Sequence, residues 1–171
     1  MSRFQLAPLD ATHDRAVFNS DSDLLNRYLR EQVTPDVRRR VAACFVALAD
    51  GKRIAGYYTL ASASLLLVDL PASTGKKLPR YPTVPAVRMG RLAVDQGFKG
   101  LGLGGALLAD ALDRAARSEI AAYALMVDAK DEAAVAFYQH HGFIALPDSR
   151  RTLFLPLAGS VALANVDGVI G

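Results

Sequence analysis

The chain has 171 residues, of which 51% are hydrophobic and 22% charged, enough for one soluble globular domain that needs no metal or disulfide staple. No apolar run approaches the roughly 18 residues of a membrane helix, MSRFQLAPLD lacks the start of a signal peptide, and the lone Cys44 excludes a disulfide within the chain, so a cytoplasmic protein is expected. Lys and Arg exceed Asp and Glu by 20 to 17; clusters at Arg38-Arg39-Arg40, Lys76-Lys77 with Arg80, Arg88 with Arg91, and Arg150-Arg151 are solvated surface or a footprint for an anionic macromolecule.

In chain order, FQLAPL predicts a strand. SDSDLLNRYLREQV predicts a helix capped by Ser20 or Asp21, with Leu24, Leu25, Tyr28, Leu29 and Val33 on its buried face. VAACFVALAD and RIAGYYTLASASLLL flank Asp50-Gly51-Lys52 and predict an antiparallel hairpin, with Cys44 a buried thiol. Residues 69–86 carry four prolines and predict an extended surface connection before a strand around VRMGRLAV. A helix to about Arg117, a strand AAYALMVDA, a short helix DEAAVAFYQHH stopped by Gly142, and strands GFIAL and RTLFLPL complete the pattern. The last residues, AGSVALANVDGVIG, show no period and predict a tail or an added edge strand.

The segment QGFKGLGLGG before the 103–117 helix asks for an anion. A Walker A loop fails, because Leu103 and Gly104 stand where its Lys and hydroxyl belong. Gly100, Gly102 and Gly105 satisfy a dinucleotide fingerprint by spacing. However, Asp95 to Lys99 separate the strand from the first glycine, and only about forty residues follow Asp128, too few for a doubly wound sheet. The pattern Q/R-x-x-G-x-G/A of a coenzyme A pyrophosphate loop fits Lys99, Gly100, Leu101, Gly102, Leu103 and Gly104, with Lys in place of Gln or Arg. From the loop alone, a glycine-rich structural turn would look the same.

GRLAVDQGFKGLGLGGALL together with FYQHHGF resembles the GNAT acetyltransferases. The resemblance implies an α/β (α+β) fold with a mixed, mostly antiparallel twisted sheet, flanked by helices and splayed in a V between VRMGRLAV and AAYALMVDA. Acetyl-CoA would be the co-substrate, its arm bound by main chain of Leu92 and Val94 and its pyrophosphate by Lys99, Gly100, Leu101, Gly102, Gly104 and Gly105, with no metal. Gly90 would suit a nearby bulge. LLNRYLREQ, RVAACFVAL, IAGYYTLAS, VPAVRMGRLAVD and DAKDEAAVAFYQHHGF further resemble the branch that supplies toxins of bacterial toxin-antitoxin pairs. That likeness implies acetylation of aminoacyl-tRNA, a ribbon-helix-helix antitoxin and a homodimer, in a single domain over 1–157 with a 158–171 tail. FNSDSD lacks the Cys-Gly pair usual in the branch, and Asp131 stands where many other GNAT enzymes have Asn, a departure the branch shares.

Tyr138 is the expected catalytic acid: in the family the Tyr at this place points at the cofactor sulfur, and a phenol with a pKa near 10 can give a proton to a forming thiolate. Packing beside Phe137 would ask for the same residue. No general base stands out. Asp131 and Glu132 head a helix as caps, and His140 and His141 face different directions without metal-ligand spacing. An α-amino group, with a pKa near 8, needs less help than a lysine near 10.4, which favours an aminoacyl acceptor. Arg38, Arg39, Arg40, Lys76, Lys77 and Arg91 are the expected substrate-binding residues. The competing readings are an acetyltransferase for a small amine or protein N-terminus, and a non-catalytic acyl-CoA-binding module.

Overall fold

The computed structural model describes residues 4–158, so the expected tail, apart from Ala158, lies outside the described residues. Among these, seven strands form one sheet in the order β1-β2-β3-β4-β5-β7-β6. They are β1 (Gln5–Pro8), β2 (Ala43–Leu48), β3 (Ile54–Leu66), β4 (Thr83–Val94), β5 (Ala124–Asp128), β6 (Ile144–Leu146) and β7 (Ser149–Pro156). Helices are α1 (Asp23–Arg27), α2 (Val33–Arg38), α3 (Ala72–Gly75), α4 (Leu103–Arg117) and α5 (Glu132–His140). β4 and β5 are parallel, which requires a crossover, and α4 supplies it. The pairs β1–β2, β2–β3, β5–β7 and β6–β7 are antiparallel. The chain separates into two compact units: the described residues through Ala61 with Gly90–Ala111, and Ser62–Met89 with those from Leu112 onward.

In the first unit the hairpin forms as expected. Gly51 takes the turn at φ +78, and the Ala49 N–H donates to the Arg53 carbonyl at 2.9 Å. Ile54 to Thr59 are all buried, because this stretch of β3 is covered on both faces. Tyr57 packs with Phe18, Tyr28, Leu29 and Val33 on one side. On the other, a Cβ on Gly56 would lie 2.8 Å from the Leu107 Cδ1 of α4 and 3.0 Å from the Ala93 carbonyl, so glycine lets helix and neighbouring strand approach closely.

The first helix departs from its expected form in two ways. Its cap is Ser22, not Ser20 or Asp21: the Ser22 Oγ accepts from the Leu25 N–H at 3.2 Å, a cap of about 1 kcal/mol. Between α1 and α2 the backbone widens into a π-helical turn, Tyr28–Gln32. Pro35 supplies the cause, since it lacks an N–H and its ring crowds the carbonyl four residues back, at Glu31. The buried face is then Asn26, Tyr28, Leu29 and Val33, while Leu24 is 79% exposed, contrary to a simple 3.6-residue stripe. Asn26 takes the inward place because its Oδ1 accepts from the Ser20 N–H (2.7 Å) and hydroxyl (2.8 Å), and its Nδ2 donates to Asn19 (3.1 Å).

In the second unit the expected extended connection is corrected: after Pro71 the chain forms α3, and β4 starts at Thr83. The Pro71 carbonyl accepts from Thr74 and Gly75, both at 2.9 Å, and the small residues Ala72, Ser73 and Thr74 permit the turn. Leu65, Leu70, Val84, Ala86, Ala124, Met126, Leu146 and Phe154 make this unit's core. The β4–β5 ladder pairs Ala86–Met89 with Ala124–Val127, and β4 runs on as Gly90–Val94. α5 starts as expected at an Asp131 cap, whose Oδ1 accepts from the Ala134 N–H at 2.8 Å, and stops at Gly142, φ +91.

Candidate active site

The glycine segment is held from behind by side chains and left open in front. Asp95, 4% exposed, follows β4; its N–H donates to the Ala55 carbonyl at 2.8 Å. Its carboxylate accepts from the Asn19 N–H at 2.9 Å and the Gly97 N–H at 2.8 Å. Gln96 donates through Nε2 to Asp21 at 3.1 Å, and Lys99 forms an ion pair with that same carboxylate. Phe98 lies edge-on to Phe4 and under the Arg53 guanidinium. The loop is therefore bound to the segment just before α1 by Asp95, Gln96 and Lys99.

Gly100 and Gly102 both adopt φ +77, and a Cβ at either would meet nothing within 4 Å. Backbone conformation, not crowding, demands glycine there. α4 follows at once, and its first intrahelical bond runs from the Ala106 N–H to the Gly102 carbonyl at 3.1 Å. The N–H groups of Leu103, Gly104 and Gly105 precede that bond and have no acceptor within the helix, at the positive end of its dipole. An open loop with left-handed glycines opening a fifteen-residue helix fits a pyrophosphate bound by main chain. Leu92 and Val94 lie on the part of β4 past its last β5 rung. A Cβ on Gly90 would meet the Thr59 hydroxyl at 3.3 Å, which accounts for glycine there by close approach.

The first unit also carries a recess of about 340 Å³ lined by Tyr28, Glu31, Gln32, Pro35, Asp36, Arg39 and Arg91. The Arg91 guanidinium lies over the Tyr28 ring, 3.5 Å from its centroid, and Tyr28 in turn stacks on Tyr57 at 14°. The Tyr28 hydroxyl donates to Asp36 at 2.8 Å. Burial first, and the Asp36 bond second, push this phenol up to about 12 against the opposing charge of Arg91.

In the second unit, Tyr138 is 7% exposed and packs against Phe137 and Phe143 at ring distances of 5.2 and 5.5 Å. Burial pushes its phenol up to about 12. Among the described residues nothing accepts or donates at its hydroxyl, yet no sealed side-chain oxygen lacks a partner, so the ring is buried and the hydroxyl reaches solvent.

The basic clusters divide. Arg88 pairs with Asp128 at 2.9 Å and Arg150 with Glu132 at 3.0 Å, and Arg151 donates to the Lys130 carbonyl, so these are internal ties. Arg38, Arg39 and Arg40 end α2, all exposed, and Lys76 and Lys77 are exposed after α3 in the other unit. Only Arg39 and Arg91 of the expected substrate-binding set meet at one recess. Cys44 is buried with its thiol pushed up to about 12, an inert core residue. The residues missed in the sequence are Asn19, Asp21, Tyr28 and Asp36. Asn19, Asp21 and Tyr28 meet partners far along the chain, Asp95, Gln96 and Arg91, and Asp36 is drawn in only through its bond to Tyr28, so no local pattern marks them.

Residues 11–143 match the Acetyltransferase (GNAT) family. The chain belongs to that family. The GNAT assignment covers the hairpin, the glycine loop and all of α5, and makes the protein an N-acetyltransferase with acetyl-CoA as co-substrate. A curated relative, the tRNA-acetylating toxin of Mycobacterium tuberculosis strain H37Rv, is 36% identical over 88% of this chain and 90% of its own length. Among solved structures, AtaT complexed with acetyl-methionyl-tRNAfMet superposes with a TM-score of 0.86 at 29% identity, covering 94% of this chain and 98% of AtaT. A mutant AtaT toxin bound to the C-terminus of the antitoxin AtaR has a TM-score of 0.80 at 25% identity, covering 95% and 98%. No helix of the described residues is long and apolar enough to cross a membrane.

Proposed function

We propose that this GNAT enzyme transfers the acetyl group of acetyl-CoA to the α-amino group of an aminoacyl-tRNA and so acts as a translation-blocking toxin. The observation that carries the reading is the loop of Gly100 and Gly102 opening onto α4, in a chain 36% identical to a tRNA-acetylating toxin. The co-substrate supplies an activated acetyl thioester. Main chain of Gly100 to Gly105 binds its pyrophosphate, with Lys99 at the rim. Main-chain groups of Leu92 and Val94 orient the arm, and the Tyr138 hydroxyl gives a proton to the departing thiolate. Arg38, Arg39, Arg40, Arg91, Lys76 and Lys77 receive the phosphates and the end of the acceptor.

An acceptor α-amine is partly neutral near neutral pH, so solvent can take its proton and no carboxylate base is required. The setting is the cytoplasm, as a homodimer of one domain over 1–157, held silent by a ribbon-helix-helix antitoxin; AtaT's complex with the antitoxin AtaR supports an antitoxin partner. The test is to incubate the protein with labelled acetyl-CoA and charged total tRNA. Label is expected in the aminoacyl group. An enzyme that ignores every aminoacyl-tRNA while acetylating a small free amine overturns the reading.

A further inference from the structure

We infer that the recess beside α1 and α2 is a base-stacking subsite for the unpaired 3′ end of the acceptor RNA, with the Arg91 guanidinium as its platform. The inference rests on the proposed aminoacyl-tRNA acceptor and says which atoms receive it.

The starting point is a set of packed rings with a guanidinium over one of them. Phe18 meets Tyr57 edge-on, Tyr57 lies nearly parallel to Tyr28, and the Arg91 guanidinium lies over the Tyr28 ring at 3.5 Å. All three aromatic rings are buried, whereas Arg91 is only half-buried and lines the recess. Among the described residues no carboxylate or carbonyl accepts a hydrogen bond from its guanidinium, so the contact that holds it is the Tyr28 ring and not an ion pair. A flat cation seated on a buried ring and lining an open recess suits an unstacked nucleobase, and single-stranded RNA ends are commonly held on arginine planes in this way.

The rest of the lining agrees. Glu31, Gln32 and Asp36 line the recess and carry acceptor oxygens, one of Glu31's taken by Arg27 at 3.0 Å and one of Asp36's by the Tyr28 hydroxyl. Such oxygens take hydrogen bonds from the exocyclic amines that cytosine and adenine carry, and Gln can pair with an adenine edge. Arg39, exposed at the same recess, supplies a cation for the adjoining phosphate. A volume of about 340 Å³ is in the lower range for a small-molecule site and accommodates one nucleotide.

Two features of the sequence build the platform. Pro35 widens the turn before it into the π-helical segment Tyr28–Gln32, and that segment contributes Tyr28, Glu31 and Gln32 to the lining. Arg91 precedes Leu92 on β4, so the platform is one residue away from main chain proposed to hold the acyl arm. An acceptor base seated there leaves its esterified amino acid to extend toward the acyl group. Asp36, through its bond to the Tyr28 hydroxyl, is a positioning residue.

The test uses the full chain and two acceptor-stem RNA hairpins, one intact and one lacking only its 3′-terminal base with the sugar and phosphate kept. Binding is read by fluorescence anisotropy. The wild type should bind the intact hairpin about tenfold to a hundredfold more tightly, the size of one stacked base. Arg91→Lys keeps the charge and loses the plane. It should reduce that ratio to about threefold or less, with little change on the hairpin lacking the base. Calorimetry with acetyl-CoA verifies that the variant is folded, and Asp36→Asn, expected to reduce the same ratio partway, gives a second probe. Equal wild-type affinity for both hairpins, or an equal loss on both in Arg91→Lys, overturns the platform. Acetyl transfer to the charged hairpin is scored separately: base-dependent binding without transfer would sink the acceptor reading while leaving the platform standing.

Discussion

In the proposed site, the glycine loop and Tyr138 of α5 work by opposite means. From Gly100 to Gly105 the groups proposed to work are peptide N–H groups, and the side chains before them form ties: Asp95 to Asn19, Gln96 and Lys99 to Asp21. At α5 the backbone is an ordinary capped helix, and one side chain, Tyr138, buried except at its hydroxyl, is the candidate reagent. The contrast teaches where each region is vulnerable. A main-chain site is destroyed by changing the conformation a residue can adopt, while a side-chain site is destroyed by removing one atom.

The sharpest way to break the first region is therefore Gly102→Val. At φ +77 a β-branched residue is a genuine outlier. About 1–3 kcal/mol of strain would add to the loss of charge-assisted N–H bonds to the anion. We expect kcat/KM for acetyl-CoA to fall about 10³-fold, with circular dichroism and the remaining core unchanged because a Cβ at this position meets nothing within 4 Å. Undiminished acetyl-CoA binding in a folded Gly102→Val protein removes the loop from the site.

For the second region the matching change is Tyr138→Phe, which deletes one oxygen and keeps the ring. kcat should drop about 10²-fold, the size of a lost general acid, with acetyl-CoA affinity within about twofold. Expression of the wild type without a partner should arrest bacterial growth, and this variant should relieve the arrest. The pH dependence sharpens the point. Burial raises the phenol from its ordinary 10 to about 12, so the proton is retained, and activity should show no loss from this group until pH exceeds about 11. The sign for stability is the same: the stabilising contribution of the buried neutral phenol is fully present below pH 10 and is lost as pH rises toward 12. A normal turnover rate in Tyr138→Phe assigns the acid elsewhere.

A third change separates charge from both. Reversing Arg38, Arg39 and Arg40 to Glu should raise KM for charged tRNA about tenfold or more and flatten its salt dependence, leaving acetyl-CoA affinity near wild type. Reversal of Arg150, already paired with Glu132, should leave tRNA kinetics unchanged, which makes it the control. Equal effects of the two reversals on KM would mean that the α2 cluster has no special part in acceptor binding.

How much of this the sequence disclosed depends on whether the cause was local. Gly51, Gly100, Gly102 and Gly142 all take positive φ, and each was marked by its place in a turn or at a helix end. The hairpin and the caps of α5 were legible for the same reason, since their partners lie within a few residues. The first helix was legible only in part. Its apolar spacing predicts Leu24 inside, but Pro35 widens the following turn and Asn26 takes the inward place, an outcome fixed by polar bonds to Asn19 and Ser20. The Tyr28–Arg91 stack and the Asp21 tie join elements far apart in sequence, and single-residue patterns carry no sign of them.

The smallest expected effect concerns that tie. Lys99 fills the first place of the pyrophosphate pattern, yet its ammonium pairs with Asp21, which also accepts from Gln96. Both members of the ion pair are well exposed, 45% and 61%, so the pair itself contributes little to stability. If the loop works through main chain alone, Asp21→Asn, which keeps an acceptor for Gln96, should change acetyl-CoA affinity by about threefold or less. The direction should be toward tighter binding, because Lys99 is released and a negative charge near the anion is removed. That small gain should vanish in 0.5 M salt, as expected for charges open to solvent. A loss of tenfold or more in Asp21→Asn would instead mean that the tie to the segment before α1 sets the loop's shape, and the division between a main-chain site and its side-chain supports would have to be redrawn.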